Sequence, residues 1–246
     1  MRKKVQNMVK KRYKPFYKQF LRLRENVQDR PKLFKFNRQK WKQLQYFSKN
    51  KLKFYKRFKI KDQFQVSVSK FVSRGNSFQK NFKNNLQERK RFKLFYGGLK
   101  KKYIKNSIKK NVFSVNNLVN YKYFILKFFE SRLDIVLYRA KFSLSVRGAA
   151  QLILHNHILV NGKVIKNKSY ILKSNDLIQV SDNLKIRSLV KKNLDRSNFW
   201  PLPPKHLLIN YRTLEIIFLY NYDSNLLPVF NHYLNLDSVI ANIKKY

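Results

Sequence analysis

The chain has 246 residues, and its 56 Lys and Arg against 12 Asp and Glu give a formal net charge of +44. A field of that size repels itself in the compact state and calls for a polyanionic partner. The lack of cysteine excludes disulfides, thiolate zinc knuckles and iron–sulfur ligation, and the most apolar stretch, 207–220, is broken by Arg212 and Glu215 before it could span a membrane.

The charge is unevenly placed. Residues 1–110 hold 37 basic and 4 acidic side chains, a net of +33, and residues 111–246 hold 19 and 8, a net of +11. Nucleic acid, an anionic membrane surface and an acidic protein could each neutralise such a field. Membrane-surface proteins concentrate their bases on one amphipathic helix or cluster, whereas here they alternate with Phe, Tyr and Trp over a hundred residues. That suits a chain threaded among phosphates and bases, with no membrane partner. Hydrophobic content of 43%, with 21 Phe and 15 Tyr, is enough for one or two real domains. The bias toward Lys, Asn, Phe, Tyr, Ile and Leu, with 5 Gly and 6 Pro, fits an organellar gene rich in A and T.

In chain order, residues 1–85 read as a basic aromatic arm ordered by RNA rather than a compact domain. The stretch 1–24 has no acid but lacks the Ser and Ala of an import presequence, so it reads as a retained arm. The spacings of Phe16, Phe20 and Leu23, then Leu33, Phe36 and Trp41, allow short helices. The aromatics Tyr13, Phe16, Tyr17, Phe54 and Tyr55 can stack on bases or pack on one another. Residues 63–81, with alternating Phe64, Val66 and Val68, read as a loop with at most one strand.

Residues 86–130 read as a helical lobe: a helix to about Tyr96, a break at Gly97-Gly98, a second piece from Leu99, and a linker over 107–117. Residues 118–129 form an apolar helix or strand, the type left open. From Ser131 the pattern sharpens. Leu133, Val136, Leu137 and Ala140 fall at helical spacing over 132–140. Ser143 or Ser145 can cap a second helix with Ala149, Leu152 and Ile153 inward and Gln151 outward. Asn161-Gly162 between two β-prone runs predicts a tight hairpin, and Ser174-Asn175-Asp176 a further turn into a strand at 177–180.

Two short helices followed by a small sheet, in the segments RLDIVLYRAKFSLS, AAQLILHNHILVNGKVI and SYILKSNDLIQV, closely resemble the RNA-binding module of small-subunit ribosomal protein S-four. The match runs through Arg132-Leu133-Asp134, Tyr138-Arg139, Phe142, Gln151-Leu152, His157, Val160-Asn161-Gly162, Ser169-Tyr170 and Asp176. The same module occurs in pseudouridine synthases, a tRNA synthetase and a small heat-shock RNA binder. The flanks 88–97 and 203–220, and the terminal helix 233–246, resemble the ribosomal family, whose mitochondrially encoded members fit best.

That resemblance implies an α+β chain: a helical N-terminal lobe, a two-helix/β-hairpin module of the S-four type (alpha-L fold) at 131–182, an extended basic arm, and a C-terminal segment, 183–246, folding back on the helical lobe at 86–130. It implies a structural constituent of the mitochondrial small ribosomal subunit that binds the 5′ domain of the small-subunit rRNA early in assembly. It further implies a place near the mRNA entry path, a part in decoding fidelity, and contact with the neighbouring protein S-five. The alternative is a non-ribosomal assembly or stress factor carrying the same module.

Expected RNA contacts are Arg132, Arg139, Lys141, Ser145, Arg147, Gln151, His155, His157, Lys163, Lys166 and Lys168, with Arg89, Arg91 and Lys93 on the preceding helix. The guanidinium fork suits phosphate because it can bind two oxygens at once. The sequence departs from the family at Ala150, where an Arg is usual and for which Arg147 can substitute, at Asn156, where Gly is common, and at Lys168, where Pro is common. His155 and His157 invite a metal reading, but no further ligand lies near them in sequence. With no Gly-rich phosphate loop, no cysteine nucleophile and scattered carboxylates, neither an enzyme nor a cofactor is expected.

Overall fold

The computed structural model describes residues 17–56 apart from 24 and 29, 78–107 apart from 101, 121–195, 204–219, and positions 234, 236 and 239. Its helices are α1 (Tyr17–Leu23), α2 (Gln39–Lys56), α3 (Phe78–Phe95), α4 (Tyr121–Glu130), α5 (Leu133–Arg139), α6 (Val146–Leu154) and α7 (Leu184–Asp195). A 3-10 turn, Pro31–Lys35, links α1 to α2, and a single helical turn covers 102–107. The strands β1 (Ile158–Val160), β2 (Lys163–Val164), β3 (Leu177–Val180), β4 (Leu207–Asn210) and β5 (Glu215–Phe218) form one antiparallel sheet in the order β2-β1-β3-β5-β4.

The described residues form two cores. The first gathers Phe20, Leu23, Val27, Leu33, Trp41 and Leu44 from the N-terminal part around Phe92, Phe95, Tyr96, Ile125, Leu126 and Phe129. The second packs the inner face of the sheet, with Ile158, Val160, Ile178, Val180, Ile216 and Phe218, against Ala149, Leu152 and Ile153 of α6. Helix α5 belongs to both. Ile135 and Tyr138 point into the first core, while Leu133, Val136, Leu137 and Ala140 point into the second. A helix apolar on both sides is the expected wall between two cores.

Three features differ from expectation. Residues 17–47 are not an arm waiting for RNA: they pack into the helical lobe, because their apolar residues, spaced for short helices, find a partner surface in α3 and α4. Gln28 fastens them there, donating from Nε2 to the Leu94 carbonyl at 2.8 Å, while the Tyr138 hydroxyl donates to the Gln28 carbonyl at 3.0 Å. Helix α3 begins at Phe78, so 78–81 is helix rather than loop, and 118–129 resolves as helix α4 from Tyr121. The boundary expected at 182 is crossed: α7 buries Val190 in the module's core, and hairpin β4–β5 extends the module's sheet by pairing β5 with β3. Tertiary pairing adds those strands; their sequence alternates no more clearly than a loop flank. Leu234 and Val239, by contrast, sit in the first core. Residues 1–16 with Tyr13 and Phe16, the run Phe64 to Val68, the linker from 108, and the remainder of the terminal helix lie outside the described residues.

Candidate nucleic-acid interface

The module is shaped by its helix ends. Ser145 caps α6, its Oγ accepting from the Gly148 N–H at 3.1 Å, and Ser143 Oγ donates to the Ser145 carbonyl at 2.9 Å. Both α5 and α6 close with paired backbone bonds, Phe142 N–H to Leu137 and Lys141 N–H to Tyr138, then His157 N–H to Leu152 and Asn156 N–H to Ile153. Such closures place the residue after the helix in the left-handed region, and Lys141 and Asn156 have φ of 62° and 63°. This accounts for Asn156 at a place where Gly is common, since Asn tolerates that conformation better than most residues. Gly97 ends α3 with φ 79°, and a Cβ there would lie 2.7 Å from Val146 Cγ1, so that break must be glycine for α6 to approach.

The turn of hairpin β1–β2 has positive φ at both Asn161 and Gly162, 50° and 75°. It is tied down from below: Asn161 Nδ2 donates to Asp176 Oδ1 at 2.9 Å, and the Leu177 N–H donates to Asn161 Oδ1 at 2.9 Å.

The fourteen expected contacts divide by exposure. Lys93, Arg147, Gln151, His155, Lys163, Lys166 and Lys168 are exposed, and Arg89, Lys141 and His157 are half-exposed. Arg147, Gln151 and His155 stand four residues apart along the outward side of α6, opposite Ala149, Leu152 and Ile153. His155 is the C-cap of that helix, and its ring stacks on His157 at 6.2 Å and 23°. The stripe thus continues into β1 and on to the hairpin carrying Lys163. Among the described residues no group of three or more His, Cys, Asp or Glu could hold a metal.

Four of the fourteen turn inward, a correction to the expected site. Arg132 is 3% exposed and forms a two-point pair with Asp134, Nε to Oδ1 at 3.1 Å and Nη2 to Oδ2 at 2.7 Å, over the Tyr103 ring. Burial pushes the Asp134 carboxyl up, opposed by that guanidinium. The pair fixes the start of α5 beside the returning loop, where the Leu133 N–H donates to the Tyr170 carbonyl at 2.9 Å. Arg139 pairs with the fully buried Glu130, Nε to Oε2 at 2.9 Å and Nη2 to Oε1 at 2.7 Å. Arg91 bridges Glu25, at 2.6 Å, and Glu88. Ser145 is spent on its cap.

The signal for these was available in part. Positions 88, 91, 92 and 95 form the i, i+3, i+4, i+7 stripe that faces the core, so Arg91 shares its side with Phe92 and Phe95. Lys90, exposed and three residues from Lys93, belongs to the outward face instead.

These pairings decide the electrostatics of the surface. Between residues 131 and 181 the acids are Asp134 and Asp176, both buried at 2% and 7% exposure. The exposed charge of that stretch is therefore all positive: Arg147, Lys163, Lys166, Lys168 and Lys173. A surface of one sign on a small fold attracts a polyanion and carries no carboxylate to repel phosphate.

A model of the S4 domain matches residues 131–178. The chain is 30% identical over 167 residues to small ribosomal subunit protein uS4m of Marchantia polymorpha, covering 67% of this chain and 82% of that protein. The chain belongs to the small ribosomal subunit protein uS4 family. Another uS4 relative, uS4c of Euglena longa, is 29% identical over 167 residues, 67% of this chain and 78% of its own. The uS4 of Aquifex aeolicus is 34% identical over 110 residues, 45% of this chain and 51% of its own. Membership in uS4 makes this a ribosomal protein and not one of the enzymes that use the same module.

One further cluster lies where the two cores and the C-terminal hairpin meet. His206, 5% exposed and edge-on to Phe218, is close enough to Glu130 and Arg139 to feel their charges. Burial pushes its imidazole down to about 4, so it is neutral at pH 7. Glu130 is held below the ordinary carboxylate range: burial is the strongest single influence and opposes its charge, but the ion pair and hydrogen bonds, led by the Arg139 guanidinium, together outweigh it. A group whose pKa is lower in the folded state gives stability that is full above its unfolded pKa and is lost as pH falls. For His206 that window runs from 6.5 down to about 4. The expected loss across it is about 3 kcal/mol, and a His206→Gln chain should lose markedly less stability than wild type between those limits. Equal pH dependence in both chains would show that His206 is not the sensor.

Proposed function

We propose that this chain is a structural constituent of the small subunit of the mitochondrial ribosome, bound to the 5′ domain of the small-subunit rRNA from an early stage of assembly. The observation that carries the reading is the surface of α6 and hairpin β1–β2, where every exposed charge is positive while Asp134 and Asp176 are buried. A-form RNA hides its base edges in a deep major groove, so this surface reads the shape of a junction through phosphates and 2′-hydroxyls. Arg147, Lys163, Lys166 and Lys168 supply phosphate contacts, Gln151 and the His155–His157 pair supply polar contacts, and Lys90, Arg89 and Lys93 extend the surface along α3. The uS4m relative and the organellar composition support the compartment. Proximity to the mRNA entry path, a part in decoding fidelity and contact with protein S-five belong to the same proposal.

Sedimentation tests it. A structural subunit co-migrates with intact small subunits at one copy each after a moderate salt wash. Release into the top fractions would indicate an assembly or stress factor instead.

A further inference from the structure

We propose that Tyr46, steadied by Phe47, is a stacking platform for an unpaired RNA base, a second site separate from the module and resting on the RNA-binding reading given above. Helix α2 has two unlike faces. Trp41 and Leu44 are buried at 8% and 5% exposure, and Gln45 donates to the Leu33 carbonyl at 3.2 Å. Gln39, Lys42, Gln43, Tyr46 and Phe47 recur at helical spacing on the other side and line an open depression of about 520 Å³.

The aromatic residues of this region divide sharply between the faces. Tyr17, Phe36 and Trp41 pack on one another with ring centroids 4.9 to 6.0 Å apart. Tyr46 is left 65% exposed, with the Phe47 ring at 6.3 Å and 69°. An aromatic ring so open to water, on a helix whose opposite face buries Trp41, offers a flat stacking surface.

Charge selects the partner. Residues 30–61 contain thirteen Lys and Arg and no acid, Lys42 is exposed and lines the same depression as the ring, and Lys40 is exposed on the same helix. A protein partner would have to be strongly acidic and also apolar at one spot. A single-stranded nucleic acid offers both in every nucleotide, phosphate for the lysines and a base for the ring. The amides of Gln39 and Gln43 donate and accept, so any base edge is tolerated. The module's shape-reading surface requires paired RNA, so the two sites together suit a helix flanked by an unpaired strand.

Full-length protein, Tyr46→Ala and Tyr46→Phe are compared on two probes, a short unstructured oligouridylate and an RNA hairpin with a fully paired stem closed by a compact, self-stacked loop, over a salt series. Tyr46→Ala should weaken oligouridylate binding about fivefold or more. Its salt slope should not change, because no phosphate contact is removed. Hairpin affinity should stay at the wild-type value, and Tyr46→Phe, which keeps the ring, should match wild type on both probes. Unchanged oligouridylate binding by Tyr46→Ala, equal loss on both probes, or a ring that crosslinks to protein rather than RNA in the assembled particle overturns the proposal. A wild type that binds the hairpin while Tyr46→Ala loses nothing on oligouridylate sinks this site alone. A wild type that binds neither probe sinks the functional reading and this site with it.

Discussion

Glu130→Ala is expected to cost the fold about 3–5 kcal/mol, the usual penalty for removing one partner of a buried ion pair. The carboxylate is completely buried and accepts two bonds from Arg139 and one from the Tyr96 hydroxyl at 2.8 Å. Its loss takes from the Arg139 guanidinium over the Phe95 ring the counter-charge that Glu130 supplies, and from the Tyr96 hydroxyl the acceptor that Glu130 supplies, at the seam between the two cores. Against a total stability of about 5–15 kcal/mol for a domain, that is a large fraction. The double change Glu130→Leu with Arg139→Met removes both charges and should recover most of the loss, since apolar packing often replaces a buried pair at little cost. Urea denaturation of the three chains measures it. A single variant within about 1 kcal/mol of wild type would mean the pair is not holding the seam.

The second large effect concerns RNA. Changing Arg147, Lys163, Lys166 and Lys168 together to Ala should reduce the slope of log affinity against log salt by about 0.7 to 0.9 per contact, roughly three units in all, and weaken binding by roughly a thousandfold at 0.1 M salt. All four side chains are exposed, so the melting temperature should hardly move. Arg139→Ala provides the contrast: it should lower the melting temperature and leave the slope alone, because its guanidinium faces Glu130. A slope unchanged in the quadruple variant would place the RNA on another surface.

The outward and the inward basic residues look alike in the sequence. Helical spacing shows that Ala149, Leu152 and Ile153 share a side and that Arg147 and Gln151 do not, which is why the outward stripe of α6 is legible in the sequence. The Asn161-Gly162 turn was legible for a similar reason, since its positive φ values leave few other residues able to serve. Arg91 was legible in principle from its phase with Phe92 and Phe95. Arg132 and Arg139 were not. The partner of Arg139 is nine residues away, at the end of a different helix, and the burial that makes the pair obligatory comes from α4, the lobe core and the hairpin after β3 closing around it.

By itself, then, the sequence determined the polyanionic partner, the two-helix and hairpin module, and the outward bases of α6 and the β1–β2 hairpin, because charge balance, helical period and turn chemistry are local properties. Tertiary structure decided which basic residues are withdrawn from that surface and which acids are hidden with them. It also recruited residues 17–47 to a core and brought β4 and β5 to the sheet. Each of those outcomes depends on what lies across from a side chain rather than beside it along the chain. The all-positive face of the module is the joint result: sequence supplied the bases, and only packing removed the carboxylates from among them.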